Sequence, residues 1–252
     1  MWVLIFILLA VLFAAFRFNT AFMLEWLPYI LGGVPLTILL CSLGILLAVP
    51  LALLGALGRL SKNPVFNGAS GFYVSFIRGT PLVVQIFFIY LGLPQLAQNA
   101  PGPLQNLFLL GIVTSGVLAL GINYGAYMAE IFRAGIQSVG HGQVEAAQAL
   151  GMTRAQAMRR IVLPQAVRVI IPPTGNEFIA MIKDSSLVRF AGVQELFFRA
   201  YKIGRQYFQS LETLVVAALI YWLLTSIFSY FQGRLEKRLE TGYVRESGPH
   251  GH

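Results

Sequence analysis

The sequence predicts an all-α, polytopic integral membrane protein, and three observations carry that prediction. Mean hydropathy is +0.72, hydrophobic residues make up 57% of the 252 positions, and charged residues only 11%. Such values belong to a chain whose solvent is largely lipid. The apolar positions are gathered in runs that approach bilayer length, which a soluble core of this size does not need. The net charge of +8 lies between and beside those runs, so it reads as membrane topology and not as a nucleic-acid-binding stripe. The single cysteine, Cys41, has no partner within the chain for a disulfide.

The elements follow in order. Trp2 to Phe16 is apolar, with no basic residue before it and Arg17 after it. It reads as an uncleaved first span, residues 1–20 forming an N-terminal apolar segment, because the basic start of a signal peptide is missing. Arg17 to Trp26 reads as a short polar connector. Pro28 to Leu57 is the next span, with Thr37, Ser42 and several glycines that permit close helix packing. Arg59, Lys62 and Arg78 then surround an expected loop containing Asn63-Pro64 and Asn67-Gly68. Pro81 to Leu96 crosses again, starting at a proline suited to a first helical turn. The connector Gln98 to Gln105 carries no Lys or Arg, and Leu107 to about Met128 crosses back. Ile161 to Ile182 is the fourth of these core spans, with an expected break at Pro172-Pro173. Irregular backbone at membrane depth is tolerated where it lines a cavity. Thr213 to Phe231 is the last span, followed by a basic tail over 234–252 containing Arg234, Lys237 and Arg238.

Gln143 to Pro164, QVEAAQALGMTRAQAMRRIVLP, is the longest polar, regularly patterned interruption. Gln143 to Leu150 consists almost wholly of strong helix formers, and Gly151 suits a left-handed stop. Thr153 with Gln156 reads as a capping box opening a second short helix. Arg154, Arg159 and Arg160 supply a basic side, while Ala155, Met158 and Ile161 are expected to face an apolar neighbour. Two short helices meeting at a glycine make a compact knob, which by itself is also what an ordinary amphipathic surface hairpin looks like.

Lysine and arginine placement orients the chain. The loops around Arg59 to Arg78 and Arg133 to Arg168, and the C-terminal tail, are basic and so cytoplasmic; the Gln98 connector lies outside. Lys183, Arg189, Arg199, Lys202 and Arg205 disagree, and are expected to sit in a cavity or to pair with Asp184 and Glu195.

Glu145, Ala146, Ala147, Gly151, Ile161, Leu163 and Pro164 follow the spacing E-A-A, three residues, G, nine residues, I-x-L-P. That spacing resembles the cytoplasmic loop of permease subunits of ATP-binding-cassette (ABC) importers. FIRGTPLVVQIFFIYLGLP at Phe76–Pro94, NYGAYMAEIFRAGIQSV at Asn123–Val139 and LPQAVRVIIPPTGNEFIAMIKDSSLV at Leu163–Val188 resemble the polar amino-acid branch, which includes histidine, glutamine and arginine systems. Gly140, His141, Val144 and Arg189 depart from that branch's usual residues. The resemblance implies a five-span permease domain over 27–233 preceded by the extra N-terminal segment, in the cytoplasmic membrane of a prokaryote. It implies a cytoplasmic ATPase dimer, a second permease copy or related permease, and an extracytoplasmic amino-acid-binding protein. No G-x-x-x-x-G-K-[ST] stretch is present, so ATP and Mg belong to the partner ATPase and this chain carries no cofactor of its own. The seven loop positions would couple to that ATPase.

Intramembrane ionisable residues are functional candidates. Glu177 and Asp184 are seven apart and share a helix face, and with Asn176 and Gln85 they are the substrate-binding candidates. Two carboxylates favour a cationic group, hence a basic amino acid; local pairing with Lys183, Arg189 or Arg168 is the structural alternative. Glu130 and Arg133, three apart on a helix, read as a local ion pair. Gly68-Ala69-Ser70-Gly71 matches the serine motif of rhomboid proteases, but His141, His250 and His252 lie in no span, so the base is missing, and they make no metal set. The alternative from another class is a secondary transporter or channel working without ATP, against which the loop spacing argues.

Overall fold

The computed structural model describes residues 18–240 apart from 100, 103, 104, 106 and 107. The expected first span at Trp2–Phe16, the connector's middle and the end of the tail lie outside them. The described elements are all helical: α1 (Thr20–Leu31), α2 (Val34–Leu60), α3 (Pro64–Gly79), α4 (Leu82–Phe87), a π turn (Phe88–Gly92), α5 (Leu93–Asn99), α6 (Ile112–Gln137), α7 (His141–Ala149), α8 (Arg154–Ala157), a second π turn (Met158–Val162), α9 (Leu163–Asp184), a 3-10 turn (Ser185–Ala191), α10 (Leu196–Gln206) and α11 (Ser210–Glu240). Three of them, α2, α6 and Ser210–Leu239 of α11, are long and apolar enough to cross a membrane; a fourth span results if Pro64–Gly79 and Leu82–Gln98 count together. The expected span at Ile161–Ile182 is not among these by composition, because α9 carries Arg168, Glu177, Lys183 and Asp184.

Several boundaries differ from the sequence expectation, each for a local reason. The connector at Arg17–Trp26 is largely helix α1: the Asn19 side chain accepts from Phe22 N–H at 3.0 Å, an N-cap the polar reading passed over. The loop expected after Arg59 is helix α3. There Asn63 accepts from Val65 N–H at 2.9 Å and Pro64 takes the first helical position, so a dipeptide read as a turn is a helix start. Helix α9 is unbroken through Pro172 and Pro173. The second short helix of the loop is not separate either; the helical run continues from Arg154 through the π turn into α9. The tail residues Arg234, Lys237 and Arg238 extend α11 as far as Glu240.

The chain forms two compact units, and α2, α6, α9 and α11 each contribute to both. The first unit comprises residues up to Gly44, Leu82–Leu120 and Ile182–Leu224. Its core joins Ile30 of α1, Leu196 and Ala200 of α10, and Val216, Ala217 and Ile220 of α11. Helix α10 is fastened at its start. Glu195 caps it, accepting from Phe197 N–H and Phe198 N–H at 2.7 Å each, and also accepts from Tyr221 Oη at 2.9 Å. Leu196 N–H donates to Thr37 Oγ1 at 3.3 Å. Gly33, in the bend between α1 and α2, makes this approach possible: a β-carbon there would stand 2.5 Å from Leu196 Cα and 2.8 Å from the Glu195 carbonyl carbon. Backbone cannot yield as a side chain can, so Gly33→Val is expected to cost about 1–3 kcal/mol, read as a fall in Tm of the purified chain. An unchanged Tm would show that α10 is not seated there.

Two of the five basic residues that oppose the inside-positive rule, Arg189 and Arg199, have their contacts within this unit. The Arg189 guanidinium lies 4.3 Å from the Phe190 ring centroid, 4.4 Å from Tyr201 and 5.0 Å from Phe197. Arg199 donates to the Tyr29 carbonyl at 3.2 Å. Aromatic faces and a backbone carbonyl hold these cations, whereas the hydrogen bonds of Glu195 go to a helix start and a tyrosine.

The second unit comprises Ile45–Pro81, Gly121–Met181 and the chain from Thr225 onward. Tyr73 Oη donates to the Ile122 carbonyl at 2.8 Å, tying α3 to α6. Arg133 donates to Glu130 at 2.6 and 2.9 Å, so the expected local pair is present, and Arg59 approaches the same carboxylate at 3.7 Å. Ile136, Val139, Val162 and Ala166 form a small core beside Leu60, Val144 and Ile170.

Candidate functional site

The loop from Gly140 to Pro164 is built by two capping devices set back to back. Helix α7 ends in a Schellman arrangement: Gly151 N–H donates to Gln148 O at 2.9 Å and Met152 N–H to Ala147 O at 3.0 Å, with Gly151 at φ +82°. The next helix opens at once. Thr153 Oγ1 accepts from Gln156 N–H at 3.3 Å, while Gln156 Oε1 accepts from Thr153 N–H at 2.8 Å. Both devices were legible in the sequence. Gln165 adds a brace that was not, donating to Gln143 Oε1 at 2.5 Å and to the Ile161 carbonyl at 3.0 Å. The result is a fixed bend whose direction is set by backbone hydrogen bonds.

The faces of this knob differ from the expected ones. Ala147, 3% exposed, and Ala157, fully buried, turn inward, as does Val162. Ala155 and Met158, expected against an apolar neighbour, are exposed, and Ile161 is half-buried. The reason is the π turn at Met158–Val162, where Leu163 N–H reaches back five residues to Met158 O. It inserts one residue into the helical count, so the buried positions run 157, 162, 166 and leave the phase assumed for a uniform helix. Glu145, Ala146, Gly151 and Pro164 are exposed, with Leu163 at the exposed margin. Of the two alanines, Ala146 lies at the surface and Ala147 beneath it. Sequence reasoning missed Leu150, which stands 82% exposed at the tip beside Gly151. Its only signal was an apolar residue immediately before a helix-stopping glycine, a place where the chain's own core is hard to reach.

The substrate candidates divide between the units. Gln85, buried on α4, and Asp184, exposed at the end of α9, belong to the first; Asn176, exposed, and Glu177, half-buried, belong to the second. Helix α4 packs against the 3-10 turn that Asp184 leads into, with Phe87 and Phe190 ring centroids 6.0 Å apart. Because α9 is unbroken, Glu177 and Asp184 lie two turns apart on one regular helix, which keeps them on a shared face. The cavity expected from a proline break has no such break to open it.

Residues 43–241 match the family described as the binding-protein-dependent transport system inner membrane component. The chain belongs to that family. This permease is 43% identical over 220 residues to the arginine transport system permease protein ArgU of Corynebacterium glutamicum, a match covering 83% of this chain and 67% of that one. It is 38% identical over 222 residues to the probable amino-acid permease protein YxeN of Bacillus subtilis, covering 88% and 96% respectively. A crystal structure of an amino acid ABC transporter with histidines superposes with a TM-score of 0.75 at 37% identity, covering 86% of this chain and 96% of that one. The permease is thus a multi-pass inner-membrane component and not an enzyme, and binding-protein-dependent transport implies a binding protein and an ATPase as its partners.

Proposed function

We propose that this permease forms half of the membrane path of an ATP-driven importer of polar amino acids, with basic ones as the preferred cargo. Its spans are α2, α4 with α5, α6, α9 and α11; α9 owes its charges to facing the path and not lipid. A second permease copy or related permease completes the enclosure. A cytoplasmic ATPase dimer holds the ATP and Mg, and an extracytoplasmic binding protein delivers the cargo on the opposite side. The C-terminus lies in the cytoplasm with the loop.

The observation that carries the reading is the knob itself, a hydrogen-bonded bend presenting Glu145, Ala146 and Leu150 to the outside. Leu150, 82% exposed at the tip of this bend, is placed to be covered by the ATPase. Glu145 offers a carboxylate to a basic group, Gly151 sets the angle, and Ile161, Leu163 and Pro164 root the knob in α9. Ala147 contributes by packing inward. Without the π turn and its brace the pull of a partner would bend the loop before it reached α9.

For cargo, Glu177 and Asp184 on one face of α9 favour an ammonium or guanidinium group, with Asn176 and Gln85 as neutral hydrogen-bonding residues. The test is uptake by the permease reconstituted with its ATPase and binding protein. Glu177→Gln combined with Asp184→Asn is expected to reduce arginine uptake roughly tenfold or more, since each lost charge-assisted hydrogen bond is worth about 1.5–3 kcal/mol. Unchanged uptake of arginine, lysine and histidine would remove both carboxylates from the path.

A further inference from the structure

A cavity of about 620 Å3 lies in the second unit, among Arg59, Ser75, Arg78, Gly79, Tyr127 and Glu130. Its charges do not balance. The Glu130 carboxylate is engaged by Arg133, which donates two hydrogen bonds to Oε2. Arg59 comes only within 3.7 Å of Oε1, and its Nε is enclosed without a hydrogen-bond partner. The Arg78 guanidinium stands 5.2 Å from the Tyr127 ring centroid, a contact that neutralises none of its charge. One carboxylate therefore serves three guanidiniums, and the surplus donors point to an anion. Phosphate oxygens suit guanidinium forks in particular.

The source of that anion follows from the flank. Phe72 and Phe76, exposed and stacked at 5.6 Å, lie on α3 one helical step round from Ser75 and Gly79. A polar, cationic hollow bordered by exposed aromatics matches a phospholipid whose headgroup enters the hollow while its chains run along the rings. Arg59, Lys62 and Arg78 lie at the end of α2 or in the connection between α2 and α4, and the placement of lysine and arginine assigns that connection to the cytoplasmic side, where the leaflet is anionic. We propose that this cavity binds a phosphate group, supplied by the headgroup of an anionic phospholipid of the inner leaflet. Bound there, it holds the end of α2, the end of α3 and α6 together.

The test uses the full-length chain purified with its ATPase in mixed micelles, titrated with phosphatidylglycerol or phosphatidylcholine and read by native mass spectrometry. Phosphatidylglycerol is expected to remain bound where phosphatidylcholine does not. Arg78→Gln, at an exposed position, and Arg59→Gln are each expected to weaken binding about fivefold. Lys62→Gln, exposed but outside the cavity, is expected to leave it unchanged. Equal retention of the two lipids, or equal losses in all three variants, would overturn the site. Displacement by millimolar inorganic phosphate would keep the phosphate site and assign it to the soluble source. The readout is lipid retention and not uptake, so it stands or falls independently of the cargo.

Discussion

Gly151→Arg is expected to leave the permease inserted and its ATPase active while uptake falls at least tenfold. Gly151 sits at φ +82°, and nothing lies within 4 Å of where its β-carbon would be. The substitution therefore meets no clash inside the chain. Its costs are the left-handed backbone, about 1–2 kcal/mol for a residue with a β-carbon, and a long cation beside the exposed Leu150. Both act on the bend of the knob and not on the spans. ATP hydrolysis and uptake measured in the same proteoliposomes separate the two effects. Gly151→Asn, which tolerates the left-handed region, is expected to retain most of the uptake. Wild-type uptake by the arginine variant would mean that the knob does not transmit force.

Glu195→Ala is expected to destabilise the first unit by about 2–4 kcal/mol, since it removes a helix cap and the carboxylate that accepts from Tyr221 Oη. Burial pushes the Glu195 carboxyl above its ordinary value, against the pull of the Phe197 and Phe198 N–H groups, the Tyr221 hydroxyl and Arg189. The sign follows from linkage. Above about pH 4.5 an unfolded glutamate has lost its proton while the folded one still holds it, so stability falls as pH rises toward the folded value. Thermal melts across that window are expected to show this slope in the wild type and not in Glu195→Ala. Parallel melts for the two proteins would place the carboxyl outside the folding equilibrium.

What was legible beforehand was whatever depends on near neighbours in the chain. Thr153 with Gln156 and Gly151 declared themselves because a cap and a left-handed stop are decided within four or five residues. The apolar runs of α2, α6 and α11 were plain for the same reason. Helix α3 was missed because Asn63-Pro64 is a turn signal and a helix start alike, and only the following contact of Tyr73 with Ile122 decides between them. The break at Pro172-Pro173 failed because α9 absorbs its prolines without leaving the helical path. At the candidate site, which side of α7 turns inward is set by the packing of Val144 on Ile136, Val139 and Val162, which no local pattern contains, and with it Ala147 is buried while Leu150 is exposed.

The π turn at Met158–Val162 ends immediately before Leu163-Pro164, and its counterpart at Phe88–Gly92 ends immediately before Leu93-Pro94. Proline offers no N–H to the preceding turn, and a widened turn is one way a helix makes room for it. Each surplus residue rotates what lies on one side of it by about 100° relative to the other. Excising a single residue from Met158–Val162 would therefore swing the whole protrusion a quarter-turn or more around the shaft with every side chain still present. Its aim is a matter of counting, and a transmission of this kind can be put out of alignment without losing a single part.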